Sequence, residues 1–149
     1  MKRLSKKLFV IFLLSFFCLW PLSSSFSQEV DVGVDIILAS QKSSYIDTRL
    51  TGIEGQLKSI FRFSSYELYT TRRLVIPMGR EEQIALPESK IFLLSPLYFH
   101  GRMVVMQAKI LSGRRLVVDT QFRVSQGGSF FVGGPQTQKG VIILKVTAY

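Results

Sequence analysis

Residues 102–149 alternate apolar and polar side chains in three runs separated by glycine-containing turns. A strand turns successive side chains to opposite faces, so this pattern specifies one buried and one wet face and argues against a helix. In 114–124, Leu116, Val118, Thr120, Phe122 and Val124 share one parity. Arg115, Asp119, Gln121 and Arg123 share the other, with Val117 its apolar exception. Val104, Met106, Ala108 and Ile110 repeat the pattern opposite Gln107 and Lys109. Ser112-Gly113 between these runs reads as the short loop of a tight hairpin. Ile142, Leu144, Val146 and Ala148 form a third core face. Val141 and Ile143 are apolar on its reverse, which predicts that this end is covered on both sides.

The glycines of this region are Gly113, Gly127, Gly128, Gly133, Gly134 and Gly140. Paired glycines invite comparison with phosphate-binding loops, but no Gly-Lys-Ser/Thr and no helical pattern follows them. The reading is structural: they supply turns and a bulge at positive φ.

The chain opens as a secretory signal peptide does, over residues 1–27. Lys2, Arg3, Lys6 and Lys7 form a basic start, 8–20 is an apolar run broken only by Ser15, and Ser25-Phe26-Ser27 offers small residues for cleavage near Ser27. The run falls short of the roughly 20 residues of a membrane span. An uncleaved leader anchoring the domain at the inner membrane is the alternative. Phe16 and Phe17 stand before Cys18 where a lipoprotein signal needs small residues, so Cys18 belongs to the apolar run. Removing the four leader bases lowers the formal net charge from +9 to +5 and removes the only cysteine. The remaining 28–149 must then hold together without a disulfide, and its length suits one domain.

In 29–39, Val30, Val32, Val34, Ile36 and Leu38 share one face of a strand, and Asp31, Gly33 and Asp35 the other. The period then changes. Leu50, Ile53, Leu57 and Ile60 recur at helical spacing and predict a helix at about 47–61, capped by Asp47 or Thr48. Gly52 and Gly55 weaken it, or let it lie close against the sheet. The stripe fits a core face; its sharper reading is a partner-facing helix. Residues 66–76 predict a strand with a wet or bulged centre at Arg72-Arg73. Pro77-Met78-Gly79 is a turn, 83–86 a short strand, and Pro87-Glu88-Ser89-Lys90 a turn with proline at a favoured position. In 91–99, Pro96 requires an edge or a bulge. About eight strands with one helix near the start predict a mainly β (α+β) fold: a small antiparallel β-sandwich or meander.

A first strand VDIILAS, the helix, SYEL, a Leu-Pro turn and the closing GGSFFVGGPQTQKGVIILKVTA resemble small exported bacterial proteins of unassigned function. The segment at about 124–148 also resembles the Gly-Gly strand pair of outer-membrane secretin β-domains. That resemblance implies an envelope location and nothing catalytic.

The chemistry is narrow. His100 is the only histidine and precedes Gly101 in a predicted turn, while Asp119 lies among Arg115, Gln121 and Arg123 on a wet face. A catalytic triad needs these groups convergent and buried. No catalytic residue, cofactor, metal site or nucleic-acid surface is expected. The mild basic balance fits solvated charge, or contact with anionic lipid or acidic glycan. A membrane β-barrel suits Tyr149 but not Thr147 and Lys145 on the same parity. The expectation is therefore an exported, non-enzymatic envelope module: periplasmic, outer-membrane associated or secreted. It would dock a protein partner through a strand edge or the helix, in the setting of an outer-membrane or secretion-type complex. The alternative is a binder of a small apolar ligand, lipid or glycan.

Overall fold

The computed structural model describes residues 27–149; the leader expected at 1–27, Cys18 included, lies outside the described residues except for Ser27. The strands are β1 (Glu29–Ser40), β2 (Ser65–Pro77), β3 (Glu82–Leu86), β4 (Lys90–His100), β5 (Met103–Ser112), β6 (Arg115–Ser125), β7 (Ser129–Thr137) and β8 (Gly140–Ala148). They form two antiparallel sheets ordered β2-β1-β8-β7 and β3-β4-β5-β6. The second sheet is a meander of consecutive hairpins. The first joins the chain's opening hairpin to its closing one.

The alternating apolar faces meet between the sheets, as the sequence predicts. Val30, Val32, Val34 and Ile36 of β1 and Ile142, Leu144 and Val146 of β8 pack with Phe92 and Leu94 of β4 and Met106, Ala108 and Ile110 of β5. Burying each large side chain stabilises the fold by roughly 1.5–3 kcal/mol. Phe122 and Phe130 stack at 4.4 Å between centroids, closing the side where β6 and β7 adjoin.

A second core lies on the outer face of the first sheet. Ile37, Ala39 and Ile143 pack there with Leu50, Leu57 and Tyr66. The double covering of the β8 end expected from Val141 and Ile143 is this cluster. The cover is less regular than a helix over 47–61: a 3-10 turn, Thr48–Ile53, runs into a short α-helix, α1 (Glu54–Ile60). Two glycines in this stretch disfavour a longer α-helix. Neither serves close packing, because a Cβ at Gly52 or Gly55 would meet nothing within 4 Å. Asp47 is the N-cap, accepting a bond from the Arg49 N–H at 3.0 Å. The buried Tyr66 hydroxyl lies 3.2 Å from the Leu57 carbonyl and 2.5 Å from that of Phe61, tying the end of α1 to the sheet.

Two local readings are corrected, the β5–β6 loop and the glycines, and two are sharpened, the centre of β2 and the β3–β4 turn. The β5–β6 loop is Gly113-Arg114, with Gly113 at φ 61°, and a bulge after it turns Leu116 outward. Of the two alternatives for the centre of β2, the wet one holds: Arg72 and Arg73 are exposed, and the bulge falls at Tyr69 instead. In the β3–β4 turn, Pro87 precedes two left-handed residues, Glu88 at φ 58° and Ser89 at φ 55°. Among the glycines, Gly127 (φ 74°) and Gly140 (φ 146°) join Gly113 at positive φ, whereas Gly128, Gly133 and Gly134 do not. Gly133 and Gly134 sit in a β7 bulge, where a Cβ on Gly134 would approach the Ile142 carbonyl oxygen at 3.1 Å. Pro96 meets both expectations. Pairing with β3 ends at Leu94, so Pro96 lies on a local edge, and a bulge follows it before Tyr98.

Candidate functional site

One end of the sandwich is open. The start of β1, the β4–β5 turn, the β6–β7 turn and the end of β8 border a groove of about 600 Å³. Val30, Val104 and Ala148, all part of the main core, form its floor. Phe99 and Tyr149 flank it, and Glu29, Asp31 and Arg102 carry its charge.

Tyr149 is fixed by local chemistry. Its backbone N–H donates to the Asp31 carbonyl at 2.9 Å. Its ring lies over Gly33, where any Cβ would come within 2.9 Å of it. The Arg73 guanidinium sits 4.4 Å from the ring centroid, a cation–π contact. Arg73 also donates twice to the Asp31 carboxylate, at 3.0 and 2.7 Å. Those bonds hold the Asp31 carboxyl below the usual carboxylate range. Beside this group, Asp35 accepts from Thr71 at 2.8 Å and from Lys145 at 3.2 Å.

The β4–β5 tip forms the groove's prominent wall. Gly101 (φ 62°) opens its turn, consistent with a hairpin that places glycine first. Tyr98, Phe99 and Met103 on the tip are 52%, 46% and 40% exposed, and Tyr149 across the groove is 54% exposed. From Ile91 to Ala108 the sequence has no acid; Arg102 is its one Lys or Arg.

The opposite end is latched. Glu88 accepts from the Gln138 backbone N–H at 2.7 Å and from Lys90 Nζ at 2.9 Å, joining the β3–β4 turn to the β7–β8 turn. Its carboxyl is held below the usual range, first by the Gln138 N–H and then by Lys90. The Lys90 side chain is only 9% exposed, so the pair anchors the left-handed turn. A smaller cleft of about 260 Å³ lies here, bordered by Tyr69, Pro87 and Lys139.

The free edge of β2 is divided. Near its start, the Tyr66 N–H donates to the Tyr45 carbonyl and the Asp47 N–H to the Tyr66 carbonyl, both at 2.9 Å. Asp47 then accepts from the Leu68 N–H at 3.3 Å, and Arg49 donates to the Leu68 carbonyl at 3.0 Å. Arg49 also holds the Asp47 carboxyl well below the usual range. Past the Tyr69 bulge, β2 continues as the sheet's outer strand, with Thr71, Arg72, Arg73 and Val75 exposed.

The stripe considered as partner-facing is largely internal. Leu50 and Leu57 are buried, Ile53 is half-buried against the second core, and Ile60 alone of the four is exposed. His100 is exposed at the end of β4, paired with Met103, whereas Asp119 lies farther along the sheet opposite Lys109. The structure does not bring them together. Among the described residues, no three His, Cys, Asp or Glu side chains gather as metal ligands would. No family model, curated protein or solved structure matches the chain.

Proposed function

We propose that this chain is an exported, non-enzymatic interaction module of the cell envelope. It docks an extended segment of a partner protein along the outer edge of β2. The observation that carries this reading is the division of that edge. Tyr45, Asp47 and Arg49 occupy the backbone groups of Tyr66 and Leu68, and among the described residues the strand beyond Tyr69 has no neighbour on its outer side. Unpaired strand edges recruit extended chains through main-chain hydrogen bonds. Export is supported by the leader sequence, and association with an outer-membrane or secretion-type complex by the secretin-like residues 124–148.

A photo-crosslinker at Val75, exposed on this strand, tests the proposal in growing cells. The expected result is one discrete envelope-protein adduct, absent when the crosslinker sits at Ala85 on the other sheet. The same pattern of adducts from both positions would count against it. The groove favours a second reading, a binder of a small apolar ligand, lipid or glycan, because apolar floor and aromatic walls suit such ligands. Native mass spectrometry of protein isolated from envelopes would reveal a retained ligand; an unadorned mass removes this reading.

A further inference from the structure

We infer that the β4–β5 tip is a membrane-contact element that rests on the surface of an anionic lipid bilayer. The inference goes beyond the docking role of β2 and does not depend on it.

Three observations converge on a bilayer. The first is the side-chain set. Tyr98, Phe99 and Met103 are large and apolar, stand on the two strand ends that flank the Gly101-Arg102 turn and are substantially exposed. Aromatic rings with a polar atom or edge partition to the membrane interface. The second is charge. Arg102 is the one Lys or Arg between Ile91 and Ala108, and no acid occurs in that span. A cation beside apolar side chains matches an anionic headgroup layer, whose surface potential attracts it. Across the groove, Asp31 is neutralised by Arg73, leaving Glu29 exposed on the other sheet.

The third observation is chain direction. β1 begins at this same end, because Val32 pairs with Ala148 and Glu29 with Pro77. Eight residues separate Trp20, the last of the apolar leader run, from Glu29. They span at most about 26–29 Å. A leader held in a bilayer, before cleavage or without it, therefore delivers the domain to that bilayer with the tip's end foremost. The free part of the β2 edge ends at this same end, since Pro77 pairs with Glu29, and it is a separate surface from the β4–β5 tip.

The test uses the full chain with Phe99→Trp in a Trp20→Phe background, which leaves position 99 as the only tryptophan. The protein is bound to vesicles of phosphatidylglycerol and phosphatidylcholine with brominated acyl chains. Emission from the introduced indole should shift to the blue and be quenched by the bromine. Tyr98→Ser or Met103→Ser should lower the tip's insertion constant about tenfold. Arg102→Gln should lower it about fivefold on these vesicles and leave it unchanged on phosphatidylcholine alone. Vesicle-bound protein with an unquenched indole at the tip overturns the inference. Equal quenching on neutral vesicles overturns the anionic surface. Quenching lost when an envelope extract is added overturns it in favour of a protein occupant. Tyr98→Trp with Phe99 retained supplies an independent probe should the larger ring at position 99 disturb the turn. Failure here leaves crosslinking at Val75 unaffected, so the two readings fail separately.

Discussion

The two ends of the sandwich are built from the same materials and do opposite things. At the latched end, the turns are bound to one another: Glu88 reaches Gln138, Lys90 is buried beneath it, and Lys42 donates to the Gln138 carbonyl at 3.3 Å. At the open end, the turns part around a groove and large apolar side chains face water. Backbone strain accompanies the first arrangement. Two non-glycine residues in the left-handed region cost on the order of 1 kcal/mol each and persist only where surrounding contacts determine them. One end thus carries a turn-to-turn carboxylate bridge, and the other a groove beside exposed Tyr98, Phe99 and Met103.

The largest expected effect separates the ends directly. Gly140→Ala places a Cβ against the Ala39 carbonyl oxygen where β8 meets β1, at a φ that L residues rarely adopt. Denaturant unfolding should show a loss of about 3–5 kcal/mol. Gly101→Ala at the open end meets nothing within 4 Å and bears only its φ. It should lose about 1 kcal/mol. Equal losses would break the contrast.

Tyr66→Phe comes next. It removes the buried hydroxyl that joins the end of α1 to β2 and leaves polar backbone groups without a partner. The expected loss is about 1–3 kcal/mol by the same unfolding measurement.

Acid should act mainly where carboxylates are tied down. Asp31, Asp47 and Glu88 are all held below their ordinary values by hydrogen bonds to cations or backbone N–H groups. A carboxyl lowered in the folded state stabilises the fold above its unfolded value, near 4. That contribution disappears as pH falls through the folded value. The thermal midpoint should therefore drop below about pH 4. Glu88→Gln should flatten this response, and Asp47→Asn should flatten it further at the lowest pH. An unchanged acid limb in both variants would mean that neither pair is linked to folding.

The smallest effect sharpens the comparison from the other side. Phe99→Ser should change unfolding stability by about 0.5 kcal/mol or less, since half-exposed surface positions seldom matter more. A loss of several kcal/mol would show that the open end is part of the core.

The sequence shows the sheets because their faces are written in single-residue alternation. It even shows where the outer face of β1 is covered: Asp31, Gly33 and Asp35 give way on the same parity to Ile37 and Ala39, where the second core begins. Pro96 announced its bulge by lacking an N–H. The latch left no such sign. Glu88 and Gln138 are 50 residues apart, and neither Glu88 nor Ser89 is a residue type that signals a left-handed turn. Asp47 was legible as a cap, but its bond to the Leu68 N–H depends on tertiary register. The groove was hidden for a similar reason. Its lining comes from separated stretches of the chain, each ordinary alone.

The pairing of β1 with β8 also bears on the order of events as the chain emerges. Asp35 finds Lys145 across 110 residues, whereas β3 to β6 pair through successive short turns. Closing so long a loop is entropically unfavourable before the contacts it permits are made. The meander can zip locally while β1 and β2 wait as a two-stranded ribbon with an unfilled inner edge. A nascent chain without the nine-residue strand Gly140–Ala148 has nothing to join β1 to β7 in the first sheet. The first sheet is complete only once the eighth strand lies between β1 and β7.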